Sequence, residues 1–175
     1  MFDKIFGKIN KEKEIDTVYT AVRYDREDDY KKYIDSVDIN CLRTNGKGNL
    51  LQAAIARKHF KYVKDLLKRG INVNNRDEKG ETVLHYFGQV GIKDVELAEE
   101  LINHGADLNI KDKFGNNPLW YAVFYARGDY GLVRYFIGKG ADPLNKNSSG
   151  WSALDKAEQL EDEVLIKILT KSEGK

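Results

Sequence analysis

The sequence is poor in the residues from which covalent cross-links and reactive sites are made. It holds one cysteine, Cys41, in 175 residues, which rules out an intrachain disulfide and any zinc site built on several thiolates. Cys41 has no partner motif and reads as a small hydrophobe. There are three histidines, His59, His85 and His104, and none is spaced with a second histidine or a carboxylate as a metal site requires. The acidic run Asp25-Arg26-Glu27-Asp28-Asp29 lacks the alternating oxygen ligands of a calcium loop and reads as a solvated interhelical turn. Gly46-Lys47-Gly48 lacks the spacing of a phosphate-binding loop. No catalytic residue, metal or cofactor is therefore expected.

Long apolar runs are missing too. Nothing approaches the roughly 18 residues of a spanning helix, so stable membrane insertion is not expected. Residues 1–9 break their apolar positions with charges every two or three residues, unlike a secretory leader, and the expected location is cytoplasmic. A net charge of +1 lacks the strongly basic footprint of a dedicated nucleic-acid binder. Charged residues at 33% and apolar ones at 41% are ordinary for a globular chain.

What the chain does have is a period. Gly80, Gly115 and Gly150 recur at steps of 35, and Gly70, Gly105 and Gly140 repeat with the same step ten residues earlier. Leu51, Leu84, Leu119 and Leu154 follow at steps of 33, 35 and 35. Self-similarity at this period is the mark of a repeat architecture. Physical roles can be assigned to the repeated positions. Thr82 suits a helix N-cap, where its hydroxyl satisfies a free backbone N–H. Pro118 suits the first helical turn, where a missing N–H costs nothing. Gly70, Gly105 and Gly140 follow apolar-periodic stretches where a left-handed residue ends a helix. Leu50, Leu51, Ala53, Ala54 and Ile55 form an inner helix, and Phe60, Val63, Leu66 and Leu67 the apolar face of an outer one. Val95, Leu97, Ala98, Leu101 and Ile102 then repeat the outer face, as do Leu132, Val133, Phe136 and Ile137.

The stretches Asp77-Glu78-Lys79-Gly80-Glu81-Thr82-Val83-Leu84-His85 and Asp112-Lys113-Phe114-Gly115-Asn116-Asn117-Pro118-Leu119-Trp120 resemble the opening signature of ankyrin repeats. Gly105-Ala106-Asp107-Leu108-Asn109 resembles its closing one. The resemblance covers roughly residues 14–170 and implies an all-α ankyrin-repeat solenoid. Its plan is about five stacked helix–turn–helix units with β-hairpin-like loops, at 14–42, 43–76, 77–111, 112–147 and 148–170. Residues 15–22 with 30–34 read as an N-terminal cap. Residues 154–169 read as a C-terminal one, with Ala157, Leu160, Val164, Leu165, Ile168 and Leu169 apolar. An amphipathic segment, 1–13, precedes the array and a tail, 171–175, follows. Phe2, Ile5, Phe6 and Ile9 share one face of that segment, which leaves two readings, an extra capping helix or a weak membrane contact. The two central units run 35 residues instead of the family's usual ~33, and the extra length falls between the helices, near Gly91-Ile92 and Gly128-Asp129. In the second unit, Thr44-Asn45-Gly46-Lys47-Gly48 stands where the opening turn is expected.

For function, the resemblance implies a non-catalytic protein-binding module, monomeric when free, that sequesters or scaffolds a protein partner through its concave surface. A bacterial immunity protein neutralising a toxin and a membrane-associated adaptor using the N-terminal helix are the alternatives. Mapping the family's docking surface residue by residue gives Arg57, Lys79, Glu81, Gln89, Lys113, Phe114, Asn116, Phe124, Tyr125 and Trp151 as the candidate contacts. Asn45, Gly48, Glu78, Val90, Ser148 and Ser149 occupy neighbouring positions. His85 takes the signature's histidine position, which braces neighbouring loops. The fourth unit is rich in rings: Phe114, Trp120, Tyr121, Phe124, Tyr125 and Tyr130. Rings of this kind anchor interfaces, although Trp120 and Tyr121 equally suit a core and Trp151 equally suits packing on Phe114. Residues 43–76 carry nine basic and one acidic side chain, against three and eight in residues 77–111. This asymmetry either steers a charged partner or stabilises stacked units.

Overall fold

The computed structural model describes the backbone of residues 2–41 and 48–171 and the side chains of 13–41 and 48–171. Among these residues there are ten α-helices, one 3-10 turn and no strand. The helices are α1 (Phe2–Tyr24), α2 (Glu27–Tyr33), α3 (Leu50–Ala56), α4 (Phe60–Lys68), α5 (Val83–Gln89), α6 (Val95–Asn103), α7 (Pro118–Phe124), α8 (Gly131–Gly138), α9 (Ala153–Gln159) and α10 (Glu163–Thr170). The chain divides into two compact units, Met1–Glu78 and Lys79–Lys175.

Local chemistry sets each helix start. Asn49 caps α3 by accepting from the Gln52 N–H, and the Gln52 side chain accepts in return from the Asn49 N–H at 2.8 Å. Thr82 and His85 make the equivalent box on α5, and Ser152 and Asp155 on α9. Asn117 caps α7 with Pro118 in its first turn. The outer helices α6 and α10 open on Asp94 and Asp162, whose carboxylates also complement the helix dipole. At the far ends Gly70, Gly105 and Gly140 have φ of 76°, 89° and 88°, the left-handed geometry that stops a helix.

In the Lys79–Lys175 unit, α7 packs between α5 and α9, and α8 between α6 and α10. Leu84, Phe87, Leu119, Val123, Val133, Phe136, Leu165 and Leu169 fill the space between the two rows, each at most 1% exposed. Full burial of one such side chain is worth roughly 1.5–3 kcal/mol. Gly88 lets α5 and α7 touch: a Cβ built there would lie 2.6 Å from the carbonyl carbon of Tyr121. In the Met1–Glu78 unit, α1 packs on α2 and α3, and α3 on α4. Val18, Val22, Leu50, Leu51, Ile55, Val63 and Leu66 form its core.

The connections within pairs vary in length, as the spacing of the glycines requires. Three residues join α3 to α4 and three join α9 to α10, while five join α5 to α6 and six join α7 to α8. Each connection places a residue at positive φ: Asp25 (58°), Lys58 (59°), Gly91 (62°), Arg127 (47°) with Gly128 (85°), and Glu161 (53°).

Several expectations change. The boundary expected after residue 13 falls inside α1, which runs unbroken from Phe2 to Tyr24. The apolar face of Phe2, Ile5, Phe6 and Ile9 lies outside the described side chains, and the Thr44–Lys47 part of the second unit's opening turn lies outside the described residues. Cys41, read as a small hydrophobe, is exposed. Of the apolar positions expected in the C-terminal cap, Leu160 and Val164 are 47% and 41% exposed. Leu160 is the C-cap of α9 and Val164 lies in the first turn of α10, so both flank the short exposed connection.

Candidate functional site

The loops that precede α7 and α9 are held by their first side chain. Asp112 Oδ1 accepts the N–H groups of Phe114 (2.8 Å) and Asn116 (2.9 Å), closing the turn. Asn147 does the same for Ser149 and Trp151, both at 3.0 Å. Neighbouring tips are tied by main chain, with the Lys113 N–H donating to Lys79 O and the Ser148 N–H to Phe114 O, both at 2.8 Å. Among the described residues no ladder of strands forms; each of these tips is a turn stapled to the next. Gly115 faces the following tip so closely that a Cβ would lie 3.0 Å from the Ser148 nitrogen.

His85 braces two of these loops. It is fully buried, and its Nδ1 accepts the Thr82 N–H at 2.9 Å. That assigns the proton to Nε2, which donates to the carbonyl of Asn116 at 3.2 Å. The role is structural, as its place in the opening signature implied. Tyr121 ties the same loops from below, its hydroxyl 2.7 Å from Asp112 Oδ2 and 3.2 Å from Glu81 Oε1. Burial, then the bonded Asp112, pushes its phenol well above the ordinary value.

These contacts correct two of the candidate partner residues. Glu81 and Asn116 are 3% and 6% exposed. Glu81 accepts from Gln89 Nε2 at 2.8 Å, and the Asn116 side chain bonds Asp112 and Asn147. Both belong to the framework under the tips because the next loop covers them. Trp151 occupies the same place in the repeat and is 43% exposed, since no further loop among the described residues follows it. Gly48, also assigned to the docking surface, is buried, and its carbonyl accepts from the Tyr19 hydroxyl.

The remaining candidates fall into two grooves and a scatter. One groove, of about 430 Å³, is lined by Phe114, Asn116, Trp120, Phe124, Asn147, Ser148, Ser149, Trp151, Lys156 and Gln159. Phe114 is 59% and Phe124 39% exposed. Trp120 stacks under Phe124 with ring centroids 5.2 Å apart and planes inclined by 11°. Its indole N–H is sealed from solvent, so Trp120 serves as the floor of the groove, and Tyr121 belongs to the core. Phe124 also meets Tyr125 edge-on at 4.7 Å. The second groove is lined by Gly88, Gln89, Val90, Gly91, Lys93, Tyr125 and Arg127. Arg57, Lys79 and Lys113 are exposed and line neither groove.

Lys93, Arg127, Asn147, Lys156 and Gln159 are among the groove residues that the sequence does not single out. Gln159 was within reach, since it stands one period after Phe124 and two after Gln89. Lys156 stands in register with Tyr86 and Tyr121, a stacking position, and gave no signal.

The charge asymmetry also has a structural account. Lys61 of α4 pairs with Asp25 and Glu27, each at 2.8 Å, and Arg69 with Asp35 and Asp65. Tyr30 and Tyr62 donate to Asp65 and Asp25 at 2.7 and 3.0 Å. Two bases of the outer helix, Lys61 and Arg69, thus pair with acids of the preceding helix pair. The side-chain bonds of Lys31 and then Lys61 bring Glu27 down to about 2. The turn read as merely solvated is an ion-pair partner. The other two histidines are local: His59 Nδ1 lies 2.7 Å from Val22 O, and His104 Nδ1 lies 2.8 Å from Glu100 O.

Among the described residues no three His, Cys, Asp or Glu side chains come together as a metal site, and no helix is long and apolar enough to cross a membrane. Family models described as ankyrin repeats match residues 50–87, 79–113 and 101–157, so that together they run from the first turn of α3 into α9. No curated protein matches the chain.

Proposed function

This chain belongs to the ankyrin-repeat proteins, a family of protein-interaction modules, and on that premise we propose that it is a non-catalytic binder that sequesters or scaffolds one protein partner. The observation that carries the proposal is the aromatic groove of α7, α9 and their loops. Phe114 and Trp151 stand exposed on stapled turns, and Phe124 is held out by its stack on Trp120. Large rings fixed in place before binding lose little entropy on docking, which is what makes an interface anchor. Gln89 and Tyr125 extend the surface along the second groove. Lys79 and Lys113 sit outside both grooves and belong at most to the rim, where charges set the rate of encounter more than affinity, and Arg57 stands in the other unit.

Occlusion of a toxin by a cognate immunity protein is one form this binding takes. A one-to-one complex with the product of a neighbouring gene supports it, and normal survival of a deletion strain among its siblings removes it. The adaptor form rests on residues 1–10, and liposome flotation unchanged by their deletion removes that. The groove itself is tested by quantitative capture from the native host, comparing the chain with Phe114→Ala/Trp151→Ala and with Arg57→Ala. Loss of roughly 2 kcal/mol per anchor is expected from the groove variant, about 30-fold each. Equal recovery of the same proteins by the wild type and the groove variant overturns the assignment of the surface.

A further inference from the structure

Within Lys79–Lys175 most lysines near an acid are paired with it: Lys93 with Asp129, Lys139 with Glu99, Lys146 with Asp155, and Lys167 with Glu163. Lys156 differs. Its ammonium lies 4.7 Å from the centroid of Phe124 and 2.8 Å from Gln159 Oε1, and it makes no ion pair among the described residues. It is the one charged side chain in the lining of the aromatic groove, which holds no carboxylate. A ring face and a neutral amide orient this cation and leave donors of the ammonium unsatisfied.

The second groove repeats the arrangement. Lys93 is engaged by Asp129, while Arg127, exposed in the α7–α8 connection, makes no ion pair among the described residues. The two grooves meet at the Phe124–Tyr125 pair. An aromatic ridge thus has an uncompensated cation on either side.

These cations stand in a unit of the opposite sign. Residues 79–175 carry 12 basic and 15 acidic side chains. A unit with a net charge of −3 lacks the basic footprint that a dense polyanion such as nucleic acid requires. Lys156 and Arg127 in turn repel a cationic segment. What fits is a chain with a few carboxylates set apart by apolar side chains.

We propose that the partner presents an extended acidic segment, with one apolar side chain seated among Phe114, Phe124 and Trp151, a carboxylate on Lys156, and a second carboxylate reaching Arg127 across the Phe124–Tyr125 ridge. This inference rests on the docking reading above and adds the chemistry of the docked segment. Ser148 and Ser149 along the same groove supply hydroxyl groups for the segment's peptide bonds. The ammonium of Lys156 gains most from a carboxylate, because binding removes the water that now solvates it beside Phe124.

A display library of random 12-residue peptides, selected on the full chain, tests it. Wild-type selections are expected to enrich Asp or Glu within three residues of Phe, Trp, Leu or Ile. Selections on Lys156→Glu are expected to replace that acid by Lys or Arg, and wild-type peptides remade by synthesis are expected to bind Lys156→Glu and Arg127→Glu at least tenfold more weakly by titration calorimetry. Circular dichroism of each variant shows whether the helices are retained, and Lys156→Gln, expected to be intermediate, serves if the charge reversal unfolds. Peptides that need Phe114 and Trp151 but show no acidic preference overturn this inference and leave the docking surface standing. Peptides indifferent to Phe114→Ala/Trp151→Ala overturn both.

Discussion

Gly88 and His85 show how little slack the individual residue has in α5. The Cβ of a Gly88→Ala variant would lie 2.6 Å from one backbone carbon of Tyr121 and 2.9 Å from the nitrogen of Ala122. Backbone cannot swing aside as a side chain does, so α5 and α7 must separate. A loss of about 1–3 kcal/mol is expected, read as a lower urea midpoint with an unchanged slope. His85→Ala removes the acceptor for the Thr82 N–H and the donor to Asn116 O in a site without solvent. Each buried group left unsatisfied costs about 1–3 kcal/mol. Hydrogen exchange is expected to rise in both the 78–82 and 112–116 loops, because a single ring joins them. A variant that exchanges faster in only one loop would show that the two are held separately.

At the scale of the element, the turns inside the helix pairs are the weak points. Lys58 and Glu161 sit at φ of 59° and 53°, a region that costs an L-residue roughly 1–2 kcal/mol. Lys58→Gly and Glu161→Gly are each expected to stabilise by about 0.5–1 kcal/mol after the added freedom of the unfolded chain is subtracted. A lowered melting temperature in both would show that the lysine and glutamate side chains give more than their backbones take. The same contrast explains what could be read from the sequence. Glycines at helix ends and leucines between rows are fixed by φ or by burial alone, so their period revealed the fold. Exposure at the tips obeys no such local rule. Glu81, Asn116 and Trp151 share one position in the repeat, yet the first two are covered and the third is open. The difference lies in the next loop along, which residue type does not encode. Lys156 was invisible for a related reason: in register it belongs to a stacking row, and only the neighbouring Phe124 turns it into part of a groove.

For the molecule as a whole, the two compact units differ in how charge serves them. In Met1–Glu78 the acids of α2 and its flanking turns meet the bases of α4. The side-chain bonds of Lys31 and Lys61 hold Glu27 near 2 against an ordinary 4.5, and the Lys61 bond likewise lowers Asp25. In Lys79–Lys175, Lys146 brings Asp155 down to about 2 from 3.8. Carboxylates held low bind fewer protons folded than unfolded, so their stabilisation is complete above about pH 4.5 and drains away as the pH falls toward 2. Urea midpoints by circular dichroism are expected to drop across that window, and Lys61→Met is expected to flatten the drop. An unchanged acid limb in that variant would separate the ion pairs from stability. The aromatic floor has a consequence of its own. The chain's two tryptophans, Trp120 and Trp151, both line the groove. Its native emission spectrum is therefore a built-in, label-free gauge of whether that groove is filled, and one that is blind to the tryptophan-free stretch before Lys79.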